Sequence, residues 1–282
     1  MHLRPAGEAD FPEMHGVMVA AEGGVRHGHG FAWEPPPLEA FEAMHRHFIG
    51  TGAQRVWVAE DDEGVRAFAA AWTRGSTWFL ADLFVEPGLQ GRGLGTELLA
   101  RVWDGPGIER RMTLTTSIQP VSNTIYARRG LVPATPMLKL SGIPRVAAPD
   151  GLQEGEDDPE ALAALDLAAY GFDRTIDHAF WARTQIRTVW RRLGVPVAYS
   201  YAGGSRIGPV AGRDPESAAA ALTAELARAG REVVVDVPGS AREVVEAGLA
   251  AGLRLGELPG LVLLSEGVEP PRSLAFSGYW LF

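Results

Sequence analysis

Residues 83–96 carry the pattern in this sequence that most clearly indicates chemistry. An apolar strand, Leu83–Val85, runs into a turn that contains Pro87, and a helix pattern follows at once. Glycines stand at alternate positions of the turn, at Gly91, Gly93 and Gly95. Glycine removes side chains where backbone N–H groups converge, and a helix N-terminus carries about half a positive charge. The segment therefore predicts an anion site suited to a pyrophosphate.

Two side chains could complete this anion site, because Arg92 supplies a permanent cation and Thr96 a hydroxyl donor. Three known loops compete for the pattern. A Walker A loop needs Gly-Lys-Ser/Thr, and no lysine lies here; a dinucleotide-binding loop needs a third glycine where this chain has Thr96. The coenzyme A loop, Gln/Arg-x-x-Gly-x-Gly/Ala, is matched at every fixed position by Gln90–Gly95.

Composition restricts the classes of protein that remain. The chain has 282 residues, of which 46% are hydrophobic, a formal net charge of −9 and no cysteine. The length favours two domains, and the apolar content excludes a mainly disordered chain. Without cysteine, a disulfide scaffold, a thiolate metal site and a cysteine acyl-enzyme are excluded. The acidic balance argues against nucleic acid as a partner, because phosphates require a basic surface.

The sequence predicts neither a secretory signal nor a membrane-spanning segment. Residues Met1–Phe11 lack the apolar core of a secretory signal. No stretch reaches the ~18 uninterrupted apolar residues of a membrane span. We therefore expect a cytoplasmic protein with no membrane partner.

The elements around the glycine-rich turn alternate between helix and strand. Apolar residues recur at helical spacing over Glu8–Ala21 and Leu38–Ile49, with a Gly- and Pro-rich loop predicted over Gly23–Pro37. Alternation predicts strands over Arg55–Glu60 and Val65–Thr73, joined by a hairpin turn. Further strands are predicted over Thr77–Val85, Met112–Thr116 and Met137–Leu140. Helices are predicted over Gly95–Trp103 and Asn123–Arg129, the second of which ends at Gly130.

This order of elements, with the loop and its leading Val85-x-Pro87, resembles the GNAT superfamily of N-acetyltransferases over about residues 1–140. The resemblance implies an α/β fold with a mixed, mostly antiparallel sheet flanked by helices, and acetyl-CoA as cosubstrate. In that family the strand before the loop separates from its neighbour, and its backbone binds the pantetheine arm. The residues that the resemblance places at the cofactor are Phe84, Val85, Gln90, Gly91, Arg92, Gly93, Gly95, Thr96 and Asn123.

Acyl transfer from a thioester to an amine needs a neutral amine, a polarised carbonyl and a proton for the leaving thiolate. Tyr126 matches a frequent general acid of the family and is the predicted proton donor. Asp82 precedes the cofactor strand and is the predicted base, although the family carboxylate often stands one position earlier, at Ala81 here. Glu34 is an alternative base, and a water-mediated base stays open. Trp33 and Glu34 are the predicted acceptor contacts.

No metal site is predicted. The histidines of the first half could suggest one, but they lack ligand spacing on a shared helix face or a framing carboxylate motif. Surface or pocket histidines are the interpretation favoured for His27, His29, His45 and His47.

The second half is predicted to repeat the first. Pro144–Pro159 is rich in Pro, Gly, Asp and Glu and shows no period, which indicates a boundary between domains at 1–143 and 144–282. Gly130-Leu131 and Gly252-Leu253 each follow a short predicted helix, at an offset of 122 residues. The same offset aligns strand with strand and helix with helix. Within this half, one helix is predicted over Asp177–Leu193.

The copy is predicted to have lost the cofactor site. The offset places Gly212, Arg213, Asp214, Pro215 and Ser217 opposite the coenzyme A loop. Asp214-Pro215 is typical of an N-cap and first helical residue, and its carboxylate would repel a phosphate. Asn123 and Tyr126 fall opposite Val245 and Gly248. The half resembles the degenerate C-terminal GNAT-like domains of tandem bacterial acetyltransferases, which implies that it lacks a coenzyme A loop.

The resemblance implies an acyltransferase that moves an acetyl group from acetyl-CoA to a primary amine by direct attack. The acidic charge favours a small cationic acceptor as the partner. Acetylation of a protein N-terminus or lysine is an alternative, and a coenzyme A-binding sensor without turnover is another. A homodimer is left open as an assembly.

Overall fold

The computed structural model describes residues 1–52, 55–103 and 105–282. The chain forms two compact units. Unit 1 comprises Met1–Thr113 and Ile118–Leu131, and unit 2 comprises Leu114–Ser117 and Val132–Phe282. Each unit is a sheet flanked by helices. The mixed α/β fold predicted from the sequence is therefore confirmed.

Unit 1 contains four helices and a sheet among its described residues. The strands are β1 (His2–Pro5), β2 (Val56–Asp61), β3 (Gly64–Arg74), β4 (Thr77–Val85) and β5 (Arg110–Thr116), the last of which continues into unit 2 after Thr113. The helices are α1 (Phe11–Gly28), α2 (Leu38–Gly52), α3 (Leu94–Val102) and α4 (Pro120–Ala127).

The unit 1 sheet has the order β1-β2-β3-β4-β5, antiparallel except for the parallel pair β4–β5. The β2–β3 hairpin was predicted correctly. The segment Ala67–Trp72 of β3 is buried throughout, because helices cover both faces of a central strand. Apolar faces of α1, α2 and α3 complete the core with Phe11, Met14, Met18, Phe41, Phe48, Leu98 and Leu99.

Unit 2 repeats this architecture with additional strands. Its strands are β6 (Val132–Gly142), β7 (Gln153–Gly155), β8 (Ile186–Arg192), β9 (Val195–Gly203), β10 (Arg206–Gly212), β11 (Val233–Pro238), β12 (Arg254–Leu255), β13 (Gly260–Leu264) and β14 (Leu274–Ala275). Its helices are α5 (Pro159–Ala169), α6 (Thr175–Trp181), α7 (Pro215–Ala229) and α8 (Arg242–Ala250). The strand order is β13-β6-β11-β10-β9-β8-β7, with β12 on β6 and β14 on β10.

The two units share the local geometry that the offset of 122 residues predicted. Gly130 follows α4 with a φ of 79°, and Gly252 follows α8 with a φ of 90°. Leu131 N–H donates to the Tyr126 carbonyl at 3.0 Å, and Leu253 N–H donates to the Gly248 carbonyl at 3.1 Å. This is the same Schellman-type helix end at equivalent positions. The repeat is therefore visible in backbone hydrogen bonds, although sequence identity across it is weak.

Strand β6 packs in unit 2, where it pairs with β11, β12 and β13. The second compact unit thus takes up the chain again directly after Leu131. The boundary predicted at residue 143 instead marks where the order of elements begins to repeat along the sequence. That boundary stays a prediction.

Two local predictions were wrong. Asp177–Leu193 is not one helix, because α6 ends at Trp181 and Ile186–Arg192 is strand β8, paired with β9. The loop predicted to begin at Gly23 begins only after Gly28, because α1 continues to that residue. In both places tertiary pairing and packing outweigh the local propensity of the residues.

Among the residues that the structure describes, none of the helices has the length and hydropathy that crossing a membrane requires.

Candidate functional site

The glycine loop, defined here as residues 86–95, leaves the end of β4 and enters α3. Pro87–Leu89 forms one 3-10 turn, and Gly91 and Gly93 have φ values of 78° and 88°. These left-handed values strongly favour glycine. Gly93 is the N-cap of α3, so no side chain caps the helix. A Cβ placed at Gly91 or Gly93 would meet nothing within 4 Å.

The loop therefore borders open space at Gly91 and Gly93, and α3 begins directly after it without a side-chain cap. The N–H groups of Leu94 and Gly95 have no acceptor within the helix, as in the first turn of any α-helix. The loop residues 90–93 are exposed, and Arg92 and Thr96 are exposed beside them. The positive end of the helix macrodipole lies at the same place. Exposed amides, a helix N-terminus and a nearby guanidinium form a site that fits a pyrophosphate.

Unit 2 differs at the equivalent helix start. Asp214 is the N-cap of α7, and its Oδ1 accepts a hydrogen bond from Ser217 N–H at 2.7 Å. Although partial burial opposes the shift, hydrogen bonds from Ser217 lower the pKa of Asp214. The carboxylate occupies the position where an anion would bind. That the second half lacks a coenzyme A loop stays a prediction.

We expect Asp214→Ala to lower the free energy of unfolding by about 1 kcal/mol, because the N-cap hydrogen bond is lost. The folded-state pKa of Asp214 lies below its ordinary value of 3.8. Its stabilisation is therefore present above about pH 4 and is lost as the pH falls through the folded pKa. Urea unfolding at pH 7 and pH 3 measures both effects. Glu216→Gln, an exposed charge in the same turn, is the control. Equal stability of Asp214→Ala and the parent at pH 7 would contradict the cap.

A second difference lies between the strands that precede the two helices. In unit 1 the parallel register of β4 with β5 covers Thr77–Leu80 opposite Arg110–Thr113 and ends there. In unit 2 the register of β10 with β11 is a single pair, Arg206 with Val234. Strand β14 then pairs with β10 at Val210 and Ala211, and Phe276 N–H donates to the Asp236 carbonyl of β11 at 2.7 Å.

Unit 2 thus fills the gap between its parting strands with its own chain. A pantetheine arm that binds as an extra strand would need this gap. In unit 2 the gap is closed by β14 and the helix start is closed by Asp214. The sequence predicted the Asp214 cap, but it did not predict that β14 closes the gap.

The outer part of β4, Ala81–Val85, contains the predicted pantetheine contacts. Phe84 and Val85 are half-buried, and their strand pairs with β3 at Phe68 and Ala67. The Gln90 Nε2 group donates to the Val85 carbonyl at 3.0 Å. The Gln90 side chain therefore fixes the turn onto the strand end. Its predicted contact with the pyrophosphate, like the other cofactor contacts, stays a prediction.

Tyr126 and Asn123 lie one turn apart on α4. Asn123 is half-buried, and Tyr126 is 5% exposed. Burial raises the pKa of Tyr126 well above 10; the Asp82 charge adds to the rise, a hydrogen bond with Ser122 opposes it, and Glu22 adds a smaller contribution. Tyr126, Asp82 and Glu22 therefore share one electrostatic neighbourhood within unit 1. The phenol keeps its proton throughout the ordinary pH range.

Asp82 is buried, and its Oδ2 lies 3.1 Å from His45 Nε2. His45 is fully buried on α2, and its Nδ1 lies 2.8 Å from the Phe41 carbonyl oxygen. The interpretation of His45 as a surface or pocket histidine was wrong: it is a core residue with a carboxylate partner. Only the tertiary contact between α2 and β4 could show this, since the two residues are far apart in sequence.

Trp33 and Glu34 lie in the segment after α1. Trp33 is half-buried and its ring packs against Gly23, where an added Cβ would lie 3.4 Å from Cζ3. Glu34 is exposed. The segment folds back on α1, because His15 Nε2 donates to the Pro36 carbonyl at 2.8 Å. Trp33 is thereby held beside the second half of α1.

Glu22 is a candidate that the sequence analysis missed. It lies next to Gly23 on α1, with a side chain only 13% exposed, and its Oε1 accepts from Arg26 Nε at 2.5 Å. Its position adjoins the buried residue Ala21 at the edge of the apolar face of α1. The sequence signal that could have indicated Glu22 is its place as an acidic residue within the apolar pattern of α1. A carboxylate beside an aromatic ring suits a cationic ligand.

No group of three or more His, Asp and Glu side chains that could hold a metal ion occurs among the described residues. His27 and His29 are exposed at the end of α1.

Unit 1 thus combines a parallel strand pair that ends early with an uncapped glycine turn and a helix. Residues 52–130 match the acetyltransferase (GNAT) domain family. This stretch of the chain is therefore similar to GNAT acetyltransferase domains, which supports an N-acetyltransferase activity. No curated protein sequence matches the chain.

Solved structures share the fold over nearly the whole chain. A candidate acetyltransferase from Pyrococcus horikoshii has a TM-score of 0.76 at 15% identity, covering 100% of this chain and 95% of its own. A GCN5-related N-acetyltransferase from Sphaerobacter thermophilus gives 0.62 at 17% identity, with coverage of 96% and 98%. A tandem GNAT protein of the clavulanic acid biosynthesis pathway gives 0.57 at 15% identity, with 95% and 99%. At these identities the likeness establishes the fold.

Proposed function

We propose that unit 1 transfers an acetyl group from acetyl-CoA to the primary amine of a small cationic acceptor by direct attack. The observation that carries the proposal is the glycine loop, which ends on an uncapped helix directly after a strand that parts from its neighbour. Unit 2 lacks both features. The proposal therefore assigns one acetyl-CoA site to each chain.

Each part of the site has a physical task. The amides of the glycine loop and Arg92 would hold the diphosphate, and Ala81–Val85, which follow the residues of β4 that pair with β5, would hold the pantetheine arm. When bound, acetyl-CoA supplies an activated acyl thioester. Backbone N–H groups along β4 would then polarise the carbonyl oxygen, as oxyanion donors do.

The proposed role of Tyr126, the predicted proton donor, is to donate a hydrogen bond to the leaving sulfur. A coenzyme A thiol resembles free cysteine, with a pKa of about 8.5, whereas the pKa of Tyr126 is raised well above 10. Complete transfer of the phenolic proton would therefore be uphill. Tyr126 would instead stabilise the developing thiolate through a charge-assisted hydrogen bond, for which a buried, protonated phenol is suited.

The acceptor side is proposed to be acidic and aromatic. The partly buried Glu22 carboxylate and the Trp33 ring lie on adjoining parts of unit 1. A primary ammonium group would replace Arg26 as the partner of Glu22 and, before attack, would give up its proton through water to the predicted base or to solvent. Asp82 stays the predicted base, although its burial and its contact with His45 restrict direct access to an amine.

Replacing Glu22 with glutamine should raise the KM for phenethylamine about tenfold, because a hydrogen bond to a charged group contributes about 1.5–3 kcal/mol. The affinity for acetyl-CoA should stay unchanged in calorimetry. Glu34→Gln, in the neighbouring exposed segment, is the matched variant. A raised KM for Glu34→Gln with none for Glu22→Gln would transfer the amine contact to Glu34.

Release of free thiol from acetyl-CoA, measured with a panel of primary amines, tests the proposed function itself. Acceptor-dependent release with small amines supports it. Release only with peptide N-termini or lysines would indicate a protein acetyltransferase. Binding of acetyl-CoA without any acceptor-dependent release would indicate a sensor. A small-molecule partner, a cytoplasmic location and the absence of nucleic-acid or membrane partners stay predictions.

A further inference from the structure

We propose that His45 is a positioning residue for acetyl transfer: through Asp82 it holds β4 at the point where this strand leaves β5. The inference rests on the proposed function of unit 1. His45 belongs to α2 and Asp82 to β4, so their contact joins a helix to the strand that leads into the glycine loop.

The hydrogen-bond geometry requires one proton between the two side chains. The Phe41 carbonyl oxygen is only an acceptor, so His45 Nδ1, 2.8 Å away, carries a proton. His45 Nε2 and Asp82 Oδ2, 3.1 Å apart, would otherwise both be acceptors. One proton must therefore lie between His45 Nε2 and Asp82 Oδ2. Neither side chain can leave this contact without exposing a polar group to the core.

Aromatic rings enclose His45. Phe41 stacks on the imidazole at a centroid distance of 3.8 Å, and Phe48, Phe11 and Phe68 surround it at 5.6, 5.9 and 5.9 Å. His45 itself is fully buried. These rings pack around the imidazole and restrict its orientation. The direction in which it holds Asp82 is consequently well defined.

Asp82 stands directly after an irregularity in β4. Ala70 pairs with Asp82 and Ala71 pairs with Leu80, so Ala81 is an extra residue, a β-bulge. Registered pairing of β4 with β5 ends at Leu80. Asp82 is thus the first residue beyond both the bulge and the parallel pairing. A bulge re-aims the strand that follows it, and a side chain held from α2 fixes that new direction toward Val85.

Asp82 interacts with groups on two other elements, α2 and α4. His45 contacts it from α2, and its charge acts together with that of Glu22 on α1 upon Tyr126 on α4. A change in the orientation of Asp82 would therefore alter both the path of β4 and the electrostatic surroundings of the proposed proton donor.

The test compares His45→Gln with His178→Gln in unit 2, where His178 Nε2 also lies 3.1 Å from a buried carboxylate, Asp166 Oδ2. Both variants should lower the Tm. At a temperature where both are folded, His45→Gln should weaken coenzyme A binding about tenfold in calorimetry and lower kcat about tenfold. His178→Gln should leave both quantities within about twofold. Weakened binding in both variants, or in neither, would overturn the proposal.

A double variant keeps the test decisive if His45→Gln fails to fold. His45→Phe with Asp82→Leu replaces a buried pair by apolar groups, which is often neutral for stability. The proposal expects a Tm near that of the parent and coenzyme A affinity still reduced about tenfold. Parent-like affinity would overturn it, whether or not kcat falls; a loss of kcat alone would identify Asp82 as a base. Because affinity is measured without an amine, the result is independent of the acceptor assay that tests the proposed function.

Discussion

Replacing Gly93 with glutamate should reduce the affinity for coenzyme A by about 100-fold or more. Gly93 has a φ of 88° at the N-cap of α3, where an L-residue costs about 1–2 kcal/mol. The new carboxylate would also take the place of the diphosphate, as Asp214 does at the start of α7. Calorimetric titration should give one site per chain for the parent and none measurable for the variant.

Two further variants separate the causes of that loss. Gly93→Ala introduces backbone strain without charge and should weaken binding by a smaller factor. Gly204→Ala introduces strain at a φ of 55° in a unit 2 turn, with no neighbour within 4 Å of the added Cβ, and should leave the affinity unchanged. Parent-like binding by Gly93→Glu would remove the glycine loop from the cofactor site. Two sites per parent chain would show that β14 and Asp214 do not close unit 2.

The second large effect is expected for Tyr126→Phe, which should lower kcat by about 100-fold or more, the lower range of contributions from general acid groups. The dissociation constant of acetyl-CoA should change by less than about threefold, because the phenol interacts with the sulfur only as charge develops. Steady-state thiol release and calorimetry together measure this separation. A parent-like kcat would exclude Tyr126 from the reaction.

The matched control is Tyr170→Phe in unit 2, since burial also raises the pKa of Tyr170 and the substitution removes an equivalent buried hydroxyl. Its kcat should equal that of the parent. The raised pKa of Tyr126 also determines the pH dependence. A higher pKa keeps the donor form to higher pH, so deprotonation of Tyr126 should cause no decline in kcat up to about pH 10. A decline below that pH that is absent in Tyr126→Phe would contradict the assignment.

Local sequence determined the features that depend on neighbouring residues alone. Alternate glycines after an apolar strand require a turn with positive φ values, and the structure has them at Gly91 and Gly93. Asp214-Pro215 is a local N-cap signal, and Asp214 caps α7. The repeat could be recognised from Gly130 and Gly252, because helix ends of this type need glycine. The class of protein followed from these short patterns.

Features that depend on distant partners were decided by the tertiary structure. Ile186–Arg192 is a strand because β9 pairs with it, a contact that no periodicity within the segment specifies. The contact of His45 with Asp82 joins α2 to β4, and β14 closes unit 2 from far along the chain. Backbone propensities act over a few residues, whereas burial and strand pairing depend on which segments meet. The sequence alone therefore predicted the glycine loop, and the fold decided which charged groups lie near Tyr126.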